Sequence, residues 1–180
     1  MSDPADARRA KRITILARSN GISNGTIGVL ALAISLYARD LVSVLASLGL
    51  CGGAMLEIFG SVRAARHDAM TPRFLVASQV ASLLSVLGLA LRCTAALSPA
   101  LVLTWLPESY RETVLMLYPG PGEAEAYLRT GLRLTLGAVV LVAALFECGM
   151  AAYYASSTAV FLRLSSGKIP RHLDGDAPLQ

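Results

Sequence analysis

The chain consists largely of apolar runs about twenty residues long, most of whose ends are marked by basic residues. Four such runs lie at about 19–38, 41–62, 74–97 and 134–162. A helix of roughly 20 residues crosses the hydrocarbon core of a bilayer, because each residue advances the helix by about 1.5 Å. Apolar residues make up 54% of the chain and charged residues only 16%, a balance that excludes an ordinary soluble domain. The sequence therefore predicts an all-α integral membrane protein, built as a four-helix bundle over residues 19–163.

The connections between the runs are of unequal length. Arg39-Asp40 is predicted to form a tight hairpin, and residues 63–73 form the second connection. The loop from 107 to 133 is the longest, and the apolar residues of its 108–118 part fall on one helical face, which predicts a short surface helix on the outer side. Glu123 is suited to the start of a new helix that continues into the fourth run, because negative charge is favourable at a helix N-terminus.

The distribution of basic residues predicts the orientation of the chain. Eleven Arg and Lys residues lie in the 1–18 segment, the 63–73 connection and the C-terminal end of the chain, against four on the opposite side. Positive residues are retained on the cytoplasmic side, so both termini are expected there, with a basic N-terminus and a disordered tail at 164–180. The alternative for the first run is a signal peptide cleaved near Ala38, since a basic segment precedes an apolar one.

Other classes of protein find little support in the sequence. The net charge of +4 comes from basic residues at the ends of apolar runs, which excludes a nucleic-acid-binding stripe. The three cysteines lie within apolar stretches without metal-ligand spacing, and the two histidines are predicted to lie in solvated segments. The sequence has no phosphate-binding loop and no nucleophile elbow. We therefore expect no enzyme activity, no catalytic residues, no cofactor and no metal.

Three charged residues, Glu57, Arg92 and Glu147, lie within the predicted spans. Such side chains are costly in lipid unless they face the bundle interior, form pairs or reach the interface. Helical spacing places Glu57 on a face with glycines, Glu147 on a face with alanines and Arg92 on a face with serines. None of the three is predicted to face lipid.

Counting from the inner basic residues predicts two polar layers. Four polar residues, one in each helix, lie six positions from such a marker, at a depth of about 9 Å. They are Asn24, Glu57, Gln79 and Ser157. The same count puts Arg92 at about 28 Å and Glu147 at about 24 Å, close enough for an ion pair between the third and fourth helices.

The two layers are interpreted first as structural, because polar side chains between membrane helices stabilise their association modestly. A second interpretation is a proton or ion path that uses Glu57 and Glu147, since intramembrane carboxylates are candidate functional groups. The third is a different set of span boundaries, in which Arg92 extends outward to the interface.

Small residues on the second helix suggest an association surface. Gly49, Gly53 and Gly60 lie on the same face as Glu57, where close backbone approach is allowed. The expected partners are the lipid bilayer and, through this face, a second copy of the chain or another membrane protein.

Three short motifs carry a resemblance to known proteins. They are Asn20-Gly21 in the first span, Met55-Leu56-Glu57 in the second and Ser78-Gln79 in the third. In these motifs the stretch from Ala17 to Arg92 resembles small uncharacterised bacterial polytopic membrane proteins. The resemblance implies a bacterial inner-membrane location and no activity. The sequence thus favours a non-enzymatic assembly or interaction subunit, with a small proton- or ion-coupled carrier or channel subunit as the alternative.

Overall fold

A computed structural model describes residues 4–96, 98–120 and 122–166. These residues form α-helices and turns, with no β-strand among them, so the all-α prediction is confirmed. The helices are α1 (Pro4–Tyr37), α2 (Leu41–Ala65), α3 (Thr71–Ala96), α4 (Pro99–Trp105), α5 (Glu108–Leu117), α6 (Glu123–Ala155) and α7 (Thr158–Ser166).

Three helical stretches of the described chain are long and apolar enough to cross a membrane. They are α2, α3 up to Ala95, and the stretch Glu123–Ser166 that contains α6 and α7. The predicted first run lies within α1, whose first half is polar. The predicted surface helix coincides with α5, and the helix that carries the fourth run begins at Glu123.

Tight turns make α1, α2 and α3 consecutive antiparallel neighbours. At the first turn Arg39 adopts a left-handed conformation with φ 52°, and Asp40 caps α2 by accepting from the Val42 backbone N–H at 3.2 Å. At the second turn His67 is also left-handed, with φ 55°. The Asp68 carboxylate there accepts from Arg63 Nη1 at 2.8 Å and from the Met70 backbone N–H at 2.8 Å. Both connections are therefore fixed by side-chain hydrogen bonds as well as by their shortness.

The main hydrophobic cluster lies at one end of the molecule, which we call the closed end. The start of α1, the end of α2, the start of α3, the end of α6 and all of α7 meet there. Its buried members are Ala10, Ile13, Ala17, Ala64, Leu75, Tyr154, Val160, Phe161 and Leu164. Away from the closed end, α6 packs less closely against the other helices. In the most apolar 18-residue stretch of Glu123–Ser166, 6% of the residues are buried, against 28% in the corresponding stretch of α2.

Two helices differ in extent from the predicted segments. Helix α1 continues back to Pro4 through the expected solvent-side segment 1–18, because Ala10, Ile13 and Ala17 form an apolar stripe that is buried in the closed end. The helix containing the fourth run is interrupted after Ala155. The Ser156 and Ser157 hydroxyls both donate to the Tyr153 carbonyl there, which competes with the helical pattern. Of the predicted disordered tail, residues 167–180 lie outside the described residues.

Candidate functional site

Glu57 is the centre of a hydrogen-bonded cluster that joins four helices. The Asn20 Nδ2 of α1 lies 2.9 Å from both carboxyl oxygens of Glu57. The Gln79 Nε2 of α3 donates to Glu57 Oε1 at 2.8 Å, and the Tyr154 hydroxyl of α6 donates to the same oxygen at 3.0 Å. The Glu57 and Tyr154 side chains are fully buried. A single carboxyl group therefore connects α2 to three other helices.

In this Glu57 cluster one carboxyl group accepts hydrogen bonds from several surrounding donors. Two amide N–H groups and one phenol O–H converge on the carboxyl, which satisfies both of its oxygens. Gln79 also donates to the Ser78 hydroxyl at 3.2 Å, which fixes the orientation of its amide. A buried polar network of this kind specifies helix register because each partner has one place to bond. We interpret the cluster as a structural connection between the helices.

Glycines on α1 and α2 bring the helices close enough for these bonds. A Cβ at Gly28 would lie 3.1 Å from the Cys51 backbone nitrogen, so α1 can approach α2 this closely only where a side chain is missing. On the other side of α2, a Cβ at Gly53 would lie 3.1 Å from the Ser78 carbonyl oxygen of α3. The backbones of all three helices are therefore in near contact, as in other small-residue membrane interfaces.

Asn24 and Glu147 form a second polar pair, one turn further along α1. The Asn24 amide faces the Glu147 carboxyl of α6. Among the described residues, neither Asn24 Nδ2 nor Glu147 Oε2 has a hydrogen-bond partner of good geometry. Glu147 is only 5% exposed, so this buried carboxyl oxygen faces the Asn24 amide without a well-formed hydrogen bond. The two carboxyls, Glu57 and Glu147, are close enough to interact electrostatically, and Tyr154 is near both.

Asn24 and Glu147 contribute to the wall of a lateral cleft between α1, α3 and α6. The cleft has a volume of about 750 Å³. Its other walls are mainly aliphatic and include Ile27, Val86 and Val139. It occupies the region where α6 separates from the rest of the bundle, so its polar pair lies toward the closed end and its apolar walls extend away from it.

The structure places the six candidate residues in four different environments. Glu57 and Gln79 are hydrogen-bonded to each other, as expected. Asn24 lies one helical turn beyond Asn20 on α1 and faces Glu147 instead of its predicted partner Glu57. Ser157 donates to the Tyr153 carbonyl within its own segment and is a member of the α6–α7 break rather than of a polar layer.

The predicted ion pair between Arg92 and Glu147 is wrong. The Arg92 Nε donates to Asp40 Oδ2 at 2.9 Å, and Asp40 lies in the hairpin between α1 and α2. Arg92 is near the C-terminal end of α3, and α3 runs antiparallel to α2, so its long side chain reaches the capping residue of α2. The count of residues along α3 and α6 predicted the depth of Arg92 and Glu147 but did not consider Asp40, which lies beside Arg92.

Two residues of the Glu57 cluster were missed at the sequence level, Asn20 and Tyr154. Asn20 precedes Asn24 by one helical turn, so both face the same side and the count along α1 selected the wrong one. Tyr154 follows Glu147 by seven residues, two turns along the same face of α6. The seven-residue spacing from Glu147 is the feature of the sequence that could have identified Tyr154 as a hydrogen-bond donor in the cluster.

The glycine face of α2 lies inside the chain. Gly49, Gly53 and Gly60 pack against Ser85, Ser82 and Leu75 of α3. In the described structure α3 of the same molecule therefore occupies the surface that the sequence suggested for a partner.

Comparisons of the chain with protein-family models, with curated proteins and with solved structures found no match.

Proposed function

We propose that the chain is a non-enzymatic integral membrane protein that crosses the bilayer four times and serves as an assembly or interaction subunit. The observation that carries this proposal is the saturation of Glu57 by donors from three other helices. A carboxyl whose oxygens are all bonded to fixed neighbours holds helices together and is poorly placed to bind and release a substrate ion.

The outward face of α1 supports its role as the fourth span. Its polar Asn20 and Asn24 are directed to the bundle interior, toward Glu57 and Glu147. From Ile27 to Leu36 its exposed positions are apolar, and they include Val29, Leu30 and Ile34. A helix with inward amides and outward aliphatic side chains suits lipid although its mean hydropathy is modest.

We propose that the closed end is cytoplasmic, in a bacterial inner membrane. The basic N-terminal turns of α1, the α2–α3 connection and Arg163 of α7 all lie at this end. Eleven Arg and Lys residues belong to this side of the chain and four to the opposite side, which predicts that this end is retained in the cytoplasm. Both termini are then cytoplasmic, and α5 lies on the outer side.

The second candidate is a small proton- or ion-coupled carrier or channel subunit. It is favoured by Glu147, a buried carboxyl that has one oxygen without a well-formed hydrogen bond among the described residues and that lies beside an open cleft and near Glu57. Because intramembrane carboxylates often take part in proton movement, this arrangement is its strongest support.

Reporter fusions test the topology. An alkaline phosphatase, which is active only outside the cytoplasm, is fused after Tyr37, after His67 and after Tyr118. Activity is expected after Tyr37 and Tyr118 and absent after His67. Activity at His67 would contradict the proposed orientation.

Proton flux into proteoliposomes separates the two candidate functions. For an assembly or interaction subunit, the wild type and Glu147→Gln should give the same flux as protein-free vesicles, and Glu57→Gln should still yield folded protein. A flux that the wild type supports and Glu147→Gln abolishes would favour the carrier.

A further inference from the structure

The unpartnered atoms at the polar end of the lateral cleft define the chemistry of a ligand. Asn24 Nδ2 is a donor, and Glu147 Oε2 is a carboxyl oxygen; the two side chains face each other, but among the residues described neither atom has a hydrogen bond of good geometry. A buried polar group without a partner is destabilising, so a molecule that bonds to both atoms would be held there in preference to lipid tails.

A hydroxyl group matches this pair of atoms best. It has one O–H donor and two acceptor lone pairs, so it can donate to Glu147 Oε2 and accept from Asn24 Nδ2 at the same time. If the Glu147 carboxyl carries a proton, the hydroxyl oxygen accepts from both residues. An ammonium group cannot accept from Asn24, and a carbonyl cannot donate to an ionised Glu147.

The rest of the cleft is suited to the hydrocarbon chain of a ligand. Apart from Asn24 and Glu147, its walls are made of aliphatic, aromatic and cysteine side chains, among them Leu50, Leu89 and Phe146. Its volume of about 750 Å³ is within the range of small-molecule sites.

We propose that the lateral cleft binds a long-chain alcohol or similar lipid with a single hydroxyl, with the hydroxyl between Asn24 and Glu147 and the chain along α3 and α6. The proposal deepens the proposed function and rests on it, because it assigns a ligand to an interaction protein embedded in lipid. The ligand enters sideways from the bilayer, through the gap where α6 separates from α1.

Photolabelling of the full-length protein tests the site. The protein is placed in phosphatidylcholine nanodiscs with a hexadecanol analogue that carries a diazirine in its chain, and labelled peptides are identified by mass spectrometry. We expect labels in 86–93 of α3 and 136–146 of α6. Hexadecanol should compete at a concentration at least about tenfold lower than hexadecane, since a hydrogen bond to a charged group contributes this much affinity. Equal competition by the alcohol and the alkane in the wild type would overturn the proposal.

Variants separate the polar end from the apolar walls. Glu147→Leu should abolish the advantage of hexadecanol over hexadecane while labelling persists. Ala143→Phe should block the cleft beside Glu147 and remove the label. Ala152→Phe introduces the same side chain on an exposed part of α6 outside the cleft and should leave labelling unchanged. Labelling that survives Ala143→Phe in folded protein would also overturn the proposal.

The two proposals fail in different ways. If the topology or flux measurements fail while labelling depends on the hydroxyl, the proposed function is wrong and the lipid site stands. If the topology is as proposed and hexadecane competes with the label as well as hexadecanol does, the lipid site is wrong and the proposed function stands.

Discussion

Arg92 of α3 donates its Nε to Oδ2 of Asp40 at 2.9 Å, so the end of α3 is tied to the residue that caps α2. The same carboxylate oxygen accepts from the Ser43 hydroxyl at 2.7 Å. The turn between α1 and α2 and the end of α3 are thereby held together by one side chain.

The Asp40 contact predicts a specific dependence of stability on pH. The hydrogen bond from Arg92, followed by that from Ser43, lowers the pKa of the Asp40 carboxyl from 3.8 to about 2. A lowered pKa means that the stabilisation is complete above about pH 4 and is lost as the pH falls toward about 2. The melting temperature of Asp40→Asn should thus be below that of the wild type at neutral pH and converge with it in acid. Glu112→Gln on the exposed side of α5 should follow the wild type throughout; a gap that persists at pH 2 would contradict the assignment.

Loss of the Glu57 carboxyl should destabilise the bundle strongly. Glu57→Ala leaves the buried Tyr154 hydroxyl and the half-buried Asn20 amide without this acceptor, at a cost of about 1–3 kcal/mol for each stranded group. Glu57→Gln keeps one acceptor oxygen and should cost less. Unfolding free energies from detergent titration measure both. The pair Glu57→Leu and Asn20→Leu should be less damaging together than the sum of the single changes, because both disrupt the same bonds; additive losses would show that the two residues are not coupled.

Adjacent glycines of α2 provide a matched test of helix contact. Gly53→Ala should destabilise the protein, because the new Cβ would lie 3.1 Å from the Ser78 carbonyl oxygen and 3.3 Å from the Ser82 nitrogen. Gly52→Ala should be neutral or stabilising by up to about 1 kcal/mol, since no described atom lies within 4 Å of its Cβ and alanine favours the helix. Thermal unfolding compares the two. Equal losses would mean that α2 and α3 are further apart than described.

The start of α1 and α7 are joined by a two-point ion pair. Arg163 donates its Nε and Nη2 to the Asp6 carboxylate, each at 2.8 Å, and these hydrogen bonds lower the pKa of the Asp6 carboxyl. Asp6→Arg should therefore increase hydrogen exchange in 158–166 by removing the partner and adding like charge. The double variant with Arg163→Asp should restore protection. If exchange in α7 is unchanged by Asp6→Arg, the pair does not hold this helix.

The sequence was informative about helices and their faces and less so about their relative register. Runs of about twenty apolar residues predicted the helices because lipid leaves few other structures available. Spacing along α2 placed Glu57 on an interior face, which the structure shows. The count from basic residues assumed that every helix starts at the same depth. The contact of Gly28 with the Cys51 backbone sets that depth for α1, and such packing is a property of two helices together.

Arg92 shows why pairing was harder to predict than location. The sequence shows that Arg92 is a charged residue within an apolar run. Whether it pairs with Glu147 or with Asp40 depends on which helix lies next to α3 at that level. A hairpin position such as Asp40 gives no sign in the sequence that its carboxylate lies beside Arg92. The alternating direction of α2 and α3 brings the start of one beside the end of the other, so turn residues are close to the last turns of the next helix.

Buried side chains are distributed unevenly along α6. Apart from Ala124, the buried residues described in this helix are Glu147 and Tyr154, both in its last third. Glu123 lies 31 positions before Tyr154, which corresponds to roughly 47 Å along the helix axis. No residue between Ala124 and Glu147 is among the buried residues described in α6. The aliphatic side chains of this stretch, among them Val139 and Val142, therefore leave one wall of the cleft open to the apolar molecules around the protein.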